Sequence, residues 1–81
     1  MDEAKATVFV VDDDDAVCKS LGMLIEGAGM KVKAFAGALD FLDAYDPATP
    51  GCLIVDVRMP GMNGLELQAE LTKRRIYIPT I

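Results

Sequence analysis

The stretch Thr7–Asp15 reads Thr-Val-Phe-Val-Val-Asp-Asp-Asp-Asp, an unbroken apolar run that ends in four acidic residues. A continuous apolar run of this length is typical of a strand buried on both faces, as in a parallel sheet. A second apolar run, Cys52–Val55, also ends in an acid, Asp56. In parallel α/β sheets, ligands bind outside the carboxyl ends of the strands. We therefore expect the carboxylates of Asp12, Asp13 and Asp56 to converge and to favour a bound cation.

The composition narrows the classes of protein that the chain can represent. With 81 residues, of which 52% are apolar, it suits one small globular domain and not a disordered segment. The formal net charge of −5 argues against direct nucleic-acid binding, which requires a basic face. The sequence contains no histidine, which excludes a Ser–His or Cys–His catalytic pair and a histidine-based zinc site. We interpret Cys18 and Cys52 as small buried residues with reduced thiols, because each lies in an apolar pattern.

The sequence contains no signal for a membrane or for secretion. Its apolar runs are all far shorter than the roughly 18 residues that a membrane span needs. The segment 1–5 is charged and lacks the long apolar stretch of a secretion signal. We therefore expect a cytoplasmic protein without a membrane partner.

Helix and strand patterns alternate after the first strand. Asp14 or Asp15 can cap a helix that ends at Gly29. Its predicted apolar stripe consists of Val17, Leu21, Leu24, Ile25 and Ala28. Met30–Phe35 alternates in polarity, which predicts an outer strand with one covered face. A second helix, which ends before Pro47, is predicted from a stripe at Ala38, Phe41, Leu42 and Tyr45.

The last third of the chain continues this alternation. The strand Cys52–Val55 is followed by Val57–Gly64, a loop rich in proline and glycine. Leu65–Arg74 reads as a third helix. This helix directs two leucines inward, Leu67 and Leu71. Ile76–Ile81 begins a fourth strand.

The order strand, helix, strand, helix, strand, helix, strand predicts an α/β fold. Such alternation indicates three layers, with a parallel sheet between two layers of helices. Residues 1–81 are expected to form one domain, truncated after the start of the fourth strand. A sheet cut there exposes an apolar edge near Ile76–Ile81, which predicts a homodimer in which a second copy covers that edge.

Two motifs carry a resemblance to a known family. They are Val11-Asp12-Asp13 and the segment Val55–Gly64, which reads Val-Asp-Val-Arg-Met-Pro-Gly-Met-Asn-Gly. With these motifs on two strand ends, the whole chain resembles the receiver domain of bacterial two-component response regulators. It is most similar to the branch in which the receiver precedes a helix-turn-helix output domain. The resemblance implies a flavodoxin-like sheet with strand order 2-1-3-4-5, a topology that the residues alone do not give.

The resemblance also implies the roles of the acidic residues. Asp56 is expected to be the phosphoryl acceptor, and Asp12 and Asp13 to hold a divalent cation. Asp13 would bind the cation directly and Asp12 through water, while Asp56 itself and the backbone carbonyl of Arg58 would complete the protein ligands. The expected ion is Mg²⁺, for which Ca²⁺ or Mn²⁺ can substitute.

The resemblance also predicts the partners of the chain and a reduced capacity to carry phosphate. The phosphoryl donor would be a phosphohistidine on a sensor histidine kinase, so the chain is expected to be a signalling module and not an enzyme. DNA would be contacted only through an output domain absent from this chain. The family's hydroxyl residue on the fourth strand and its lysine on the fifth have no counterpart here. We therefore expect this chain to accept or retain a phosphoryl group poorly.

Two alternatives fit parts of the pattern. A Mg²⁺-dependent phosphatase of the haloacid dehalogenase type would use Asp12 and Asp14. However, Ala16 lacks the hydroxyl or branched side chain of that motif, and Asp56 would be unexplained. The second alternative is a receiver-like interaction module that never carries phosphate. In the simplest interpretation, the four aspartates only cap a helix and form a solvated turn.

Overall fold

The central strand is the first apolar run of the sequence, flanked by two parallel neighbours. The structure, a computed structural model, describes residues 6–81, so segment 1–5 and the absence of a secretion signal predicted from it lie outside the described residues. The elements are β1 (Thr7–Val11), α1 (Asp15–Gly27), β2 (Lys31–Phe35), α2 (Ala38–Ala44), β3 (Gly51–Val55) and α3 (Gly64–Lys73). The predicted α/β alternation is confirmed from the first strand to the third helix.

The sheet order is β2-β1-β3, and both pairings are parallel. This agrees with the first three places of the expected order 2-1-3-4-5. Every residue of β1 is buried, as predicted for a strand covered on both faces. Val11 is in register with Phe35 on one side and Val55 on the other, so the three strands end at the same level. The residues that follow β1 and β3 therefore lie side by side at the carboxyl edge of the sheet.

Side chains alternate between two faces of the sheet. The α2–α3 face contains the buried residues Phe9, Val11, Ala38, Phe41, Leu53, Met59, Leu67 and Leu71. The α1 face contains Val8, Val10, Cys18 and Ile25, with half-buried neighbours Leu21, Val32, Cys52 and Ile54. The two faces form separate clusters, which confirms the three-layer architecture.

Both long helices end in the same type of turn. After α1, Gly29 has φ 86°, and the Met30 N–H donates to the Ile25 carbonyl at 3.2 Å. After α3, Arg75 takes the left-handed conformation with φ 60°, and the Ile76 N–H donates to the Leu71 carbonyl at 2.8 Å. A non-glycine residue in this conformation costs about 1 kcal/mol. The turn directs Ile76 back onto the α2–α3 face, and its burial there offsets this cost.

The predicted apolar stripe of α1 is wrong in three positions. Val17, Leu24 and Ala28 are exposed, whereas the residues facing the sheet are Cys18, Leu21, Gly22 and Ile25. At Gly22 an added Cβ would lie 3.9 Å from Val32 Cγ1, so the helix approaches β2 closely there. A stripe based on large apolar residues misses the sheet-facing side of α1, because two of the residues on that side, Cys18 and Gly22, are small.

The predicted fourth strand is reduced to one bridge. Leu53 and Thr80 form an isolated parallel bridge, in which the Leu53 N–H donates to the Pro79 carbonyl and the Ile81 N–H to the Leu53 carbonyl, both at 2.8 Å. The Ile76 N–H is used to close α3. Proline has no N–H to donate to a ladder, so regular pairing does not extend through Pro79.

Two further predictions are corrected in detail. β2 is the outer strand, but it contributes one half-buried side chain to each face, Val32 to the α1 face and Phe35 to the other. The expectation of one covered face is therefore wrong. Cys18 is buried as predicted, whereas Cys52 is half-buried, and both are free cysteines.

Within residues 6–81, the helices are all too short or too polar to cross a lipid bilayer.

Candidate metal centre

Three carboxylates meet at the carboxyl edge of the sheet. Asp12 and Asp13 follow β1, and Asp56 follows β3. Each offers one carboxylate oxygen, and these oxygens lie within 4.8 Å of one another. The equal length and parallel register of the two strands produce this juxtaposition from residues more than forty positions apart. The structure thus brings together the three acidic side chains that the sequence singled out.

Asp12 is held from three sides. Its backbone N–H donates to the Phe35 carbonyl of β2 at 3.0 Å. Its Oδ1 accepts a hydrogen bond from the Asp14 N–H at 2.9 Å. Its carbonyl accepts a hydrogen bond from the Cys18 thiol of α1, with Sγ at 3.3 Å.

Asp56 is fixed in a similar way. Its N–H donates to the Val11 carbonyl at 3.0 Å, which continues the pairing of β3 with β1. Its Oδ1 accepts a hydrogen bond from the Arg58 N–H at 3.0 Å. This bond places the Arg58 backbone beside the carboxylates, although the role predicted for the Arg58 carbonyl stays a prediction. In both half-buried aspartates, a hydrogen bond from the backbone to Oδ1 orients the carboxylate.

The three aspartates that follow Asp12 have different structural roles. Asp13 is exposed and belongs to the carboxylate group. Asp14 is the N-cap of α1, and its Oδ1 accepts from the Ala16 N–H at 2.9 Å and the Val17 N–H at 3.3 Å. Asp15 lies in the first turn and pairs with Lys19 at 3.2 Å. The interpretation as a helix cap is thus correct for Asp14, while Asp12 and Asp13 are directed to the edge of the sheet.

The donor set fits a hard divalent cation. Two oxygens on opposite sides of one ion are separated by about 4.2 Å for Mg²⁺ and about 5 Å for Ca²⁺. The limit of 4.8 Å on the carboxylate oxygens lies between these two separations, so the three side chains are close enough to approach one divalent cation. Without a cation, two unit negative charges about 4 Å apart repel by roughly 4 kcal/mol at an effective dielectric constant of 20. The three side chains also leave room for water, because Asp13 is exposed and the others are half-buried. These properties fit a divalent cation that takes oxygen ligands and keeps water, as both Mg²⁺ and Ca²⁺ do.

Cys18 is a residue of this site that the sequence did not single out. Burial raises the pKa of its thiol, and the nearby carboxylates of Asp12 and Asp15 raise it further. The thiol therefore stays protonated and can donate to the Asp12 carbonyl. The sequence signal was present but ambiguous, since an apolar position in a helix does not reveal which strand end it contacts.

Comparison with known proteins identifies the family. The family model described as response regulator receiver domain matches residues 8–81. Among solved structures, the response regulator StyR superimposes with a TM-score of 0.94 and 49% identity, covering 96% of this chain and 39% of StyR. The structure described as FixJ-N gives a TM-score of 0.86 and 38% identity, covering 99% of this chain and 62% of that chain.

Curated relatives agree with the structural comparison. The transcriptional regulatory protein FixJ of Azorhizobium caulinodans is 49% identical over 74 residues, which is 91% of this chain and 35% of that protein. The response regulator protein TmoT of Ectopseudomonas mendocina is 41% identical over 81 residues, which is 100% of this chain and 37% of that protein. The chain thus spans little more than a third of the length of these relatives.

The phosphatase alternative finds no support in this structure. Its motif requires Asp14 in the site, but the Asp14 carboxylate caps α1. It also leaves Asp56 unexplained, although Asp56 lies with Asp12 and Asp13. Fold, carboxylate geometry and sequence similarity agree, and the chain belongs to the response regulator receiver domain family, whose members are signalling modules of two-component systems.

Proposed function

We propose that Asp56 accepts a phosphoryl group with the help of Mg²⁺. The observation that supports this proposal is the group of three carboxylate oxygens, from Asp12, Asp13 and Asp56, within 4.8 Å of one another. The proposed protein ligands of the ion are these carboxylates and the backbone carbonyl of Arg58. When bound, the cation neutralises carboxylate charge and the charge on the incoming phosphoryl group, which is the main requirement for such a transfer.

The remaining chemistry belongs to the side chain of Asp56. The Arg58 N–H donates to its Oδ1 and so orients the carboxylate, one oxygen of which is the nucleophile. In the proposed reaction, a bond forms between this carboxylate oxygen and phosphorus while the bond from phosphorus to a histidine nitrogen of the donor breaks. The imidazole leaves with the electron pair of that bond and takes up a proton. The product on this chain is an aspartyl phosphate.

The proposed donor is a sensor histidine kinase, and the proposed location is the cytoplasm. Relatives named transcriptional regulatory proteins support an output in transcription, in which DNA is bound by an output domain outside these 81 residues. A homodimer in which a second copy covers the sheet edge near Ile76–Ile81 is also proposed. In residues 6–81, that segment pairs with β3 through one isolated bridge, between Thr80 and Leu53, and this incomplete pairing supports the proposal.

The acceptor is tested by incubation with acetyl phosphate and Mg²⁺, followed by mass spectrometry of the intact chain and its peptides. One phosphoryl group is expected on Asp56, with none in Asp56→Asn. Asp46→Asn is a matched control, because Asp46 also accepts a hydrogen bond from the N–H two residues later, at 2.9 Å, but lies before β3 at the opposite edge. Modification that persists in Asp56→Asn would contradict the assignment. The yield tests the separate expectation of poor acceptance, which a near-stoichiometric product would refute.

The metal site is tested by calorimetric titration with Mg²⁺. Asp13→Asn is expected to weaken binding by roughly tenfold or more, because a charged ligand is lost. Asp15→Asn is the matched control, since Asp15 is an exposed neighbour that pairs with Lys19. Equal affinity of the two variants would contradict the assignment of Asp13.

A further inference from the structure

The start of α3 lies directly on the backbone of the proposed acceptor. Gly64 is buried, and a Cβ added there would lie 2.8 Å from the Asp56 carbonyl oxygen and 3.1 Å from Val57 Cα. Its N–H donates to the Val57 carbonyl at 3.3 Å. No side chain separates the helix from the strand end at this point, so the position of the helix start determines how closely it supports Asp56.

The residues on either side of Gly64 are fixed by a reciprocal pair of hydrogen bonds. The Asn63 Oδ1 accepts from the Glu66 N–H at 2.8 Å, and the Asn63 N–H donates to Glu66 Oε1 at 2.9 Å. This capping box satisfies two backbone N–H groups at the start of α3 and ties Asn63 to the first turn of the helix. Both bonds span the residue that contacts Asp56.

The loop between Asp56 and Asn63 is closed at both ends. At its start, the Arg58 N–H donates to Asp56 Oδ1 at 3.0 Å. In its middle, Met59 is only 9% exposed and belongs to the buried cluster of the α2–α3 face. At its end, the capping box and the Gly64 contact return the chain to the backbone of Val57. These contacts form a short, closed path from the box to the Asp56 carboxylate.

We infer that the Asn63–Glu66 capping box is a positioning element for Asp56, which holds the helix start against the acceptor backbone and so keeps the carboxylate directed at the cation site. The inference rests on the proposed function of Asp56. Asn63 and Glu66 act through Gly64, touching neither the phosphoryl group nor the ion. Their role requires hydrogen-bond acceptors at both positions, whereas the negative charge of Glu66 is not needed.

This requirement defines the variants. Asn63→Ala and Glu66→Ala each remove one of the two bonds. Asn63→Asp keeps the side-chain acceptor, and Glu66→Gln keeps the acceptor while removing the charge. Asp46→Ala is the matched control, because it removes a similar local bond to the backbone at the amino edge of the sheet.

The first measurement is made without metal, so that it does not depend on the proposed function. Backbone ¹⁵N order parameters of Val57 and Arg58 are expected to fall from about 0.85 towards about 0.6 in Asn63→Ala and Glu66→Ala. They should stay at the wild-type value in Glu66→Gln and in Asp46→Ala. Circular dichroism confirms that each variant is folded. Unchanged order parameters in folded Asn63→Ala and Glu66→Ala would overturn the inference.

The second measurement is Mg²⁺ affinity, followed by NMR titration. Affinity is expected to fall roughly tenfold in the two alanine variants, near the lower end for outer-shell partners of a metal site, and to be restored in Asn63→Asp and Glu66→Gln. An equal loss in Glu66→Gln would indicate a charge effect and overturn the inference, as would an equal loss in Asp46→Ala. If the wild-type chain bound no Mg²⁺, the proposed function would fail, while the order parameters would still decide the positioning role.

Discussion

The two faces of the sheet are covered to different extents. On the α2–α3 face, two helices and the loop after β3 bury Leu53 and Phe41 completely, at 0% exposure. On the α1 face, a single helix covers β1, while Cys52 and Ile54 of β3 are only half-buried. This helix lies over β1 and β2, which leaves the residues of β3 on this face partly open.

The two faces contribute unequally to the buried core, and both of them support the proposed site. The better-covered face contains an aromatic group in which Phe41 lies 5.5 Å from Phe9, 5.6 Å from Phe35 and 5.0 Å from Tyr45 between ring centroids. That face also contains Met59, which fixes the loop after Asp56. The α1 face instead supports Asp12 through the Cys18 thiol. The proposed site therefore depends on both faces, but most of the buried apolar surface lies on one of them.

The largest expected effect is the loss of stability when a core side chain on each face is truncated to alanine. Phe41→Ala should reduce the free energy of unfolding by about 3–5 kcal/mol, since a fully buried ring and its contacts are lost. Ile25→Ala on the α1 face should cost about 2 kcal/mol, at the lower end of the usual range, because the partly open surroundings can relax into the space. Urea denaturation followed by circular dichroism measures both.

Phe41→Leu provides a milder variant in case Phe41→Ala does not fold. It should still cost more than Ile25→Val, a conservative change on the other face. An equal or larger cost on the α1 face would contradict the view that the α2–α3 face carries most of the stability.

A smaller change in stability is expected at Leu24, which the sequence predicted to face the sheet and the structure places at the surface. Leu24 is 71% exposed, so Leu24→Gln should change the free energy of unfolding by no more than about 0.5 kcal/mol. Leu67→Gln is the control on the buried side of α3, and it should cost about 3 kcal/mol or more because an unpaired amide replaces a buried side chain. A loss above about 1 kcal/mol in Leu24→Gln would show that this surface is covered in solution.

The smallest expected effect lies on the exposed side of α3. The hydrogen bond from Arg74 Nε, at 2.7 Å, holds the pKa of Glu70 below its ordinary value of 4.5. Because the pKa of Glu70 is lower in the folded than in the unfolded chain, the stabilisation is fully present above pH 4.5. It is lost as the pH falls through the pKa of the folded chain. Wild type and Glu70→Gln should therefore differ slightly in urea midpoint at neutral pH and converge in acid. A difference that grew in acid would have the wrong sign for this ion pair.

The candidate site was predicted from the sequence to an unusual degree, for a simple reason. Asp12, Asp13 and Asp56 each follow an apolar run that predicts a strand of a parallel sheet, and parallel strands bring their carboxyl ends to one edge. The cap at Asp14 and the inward leucines of α3 follow from equally local rules. The roles of such residues can be predicted from their sequence neighbours without the rest of the fold.

The sequence by itself thus determined the order of helices and strands, the parallel sheet and the acidic edge, because periodicity and strand ends are properties of neighbouring residues. Only the tertiary structure decided which side of α1 is buried, that Cys18 contacts Asp12, and that Gly64 rests on the backbone of Asp56. Each of these depends on how closely two distant segments approach. That distance is set by small residues and by packing across the sheet, and patterns of large apolar side chains along one segment do not encode it.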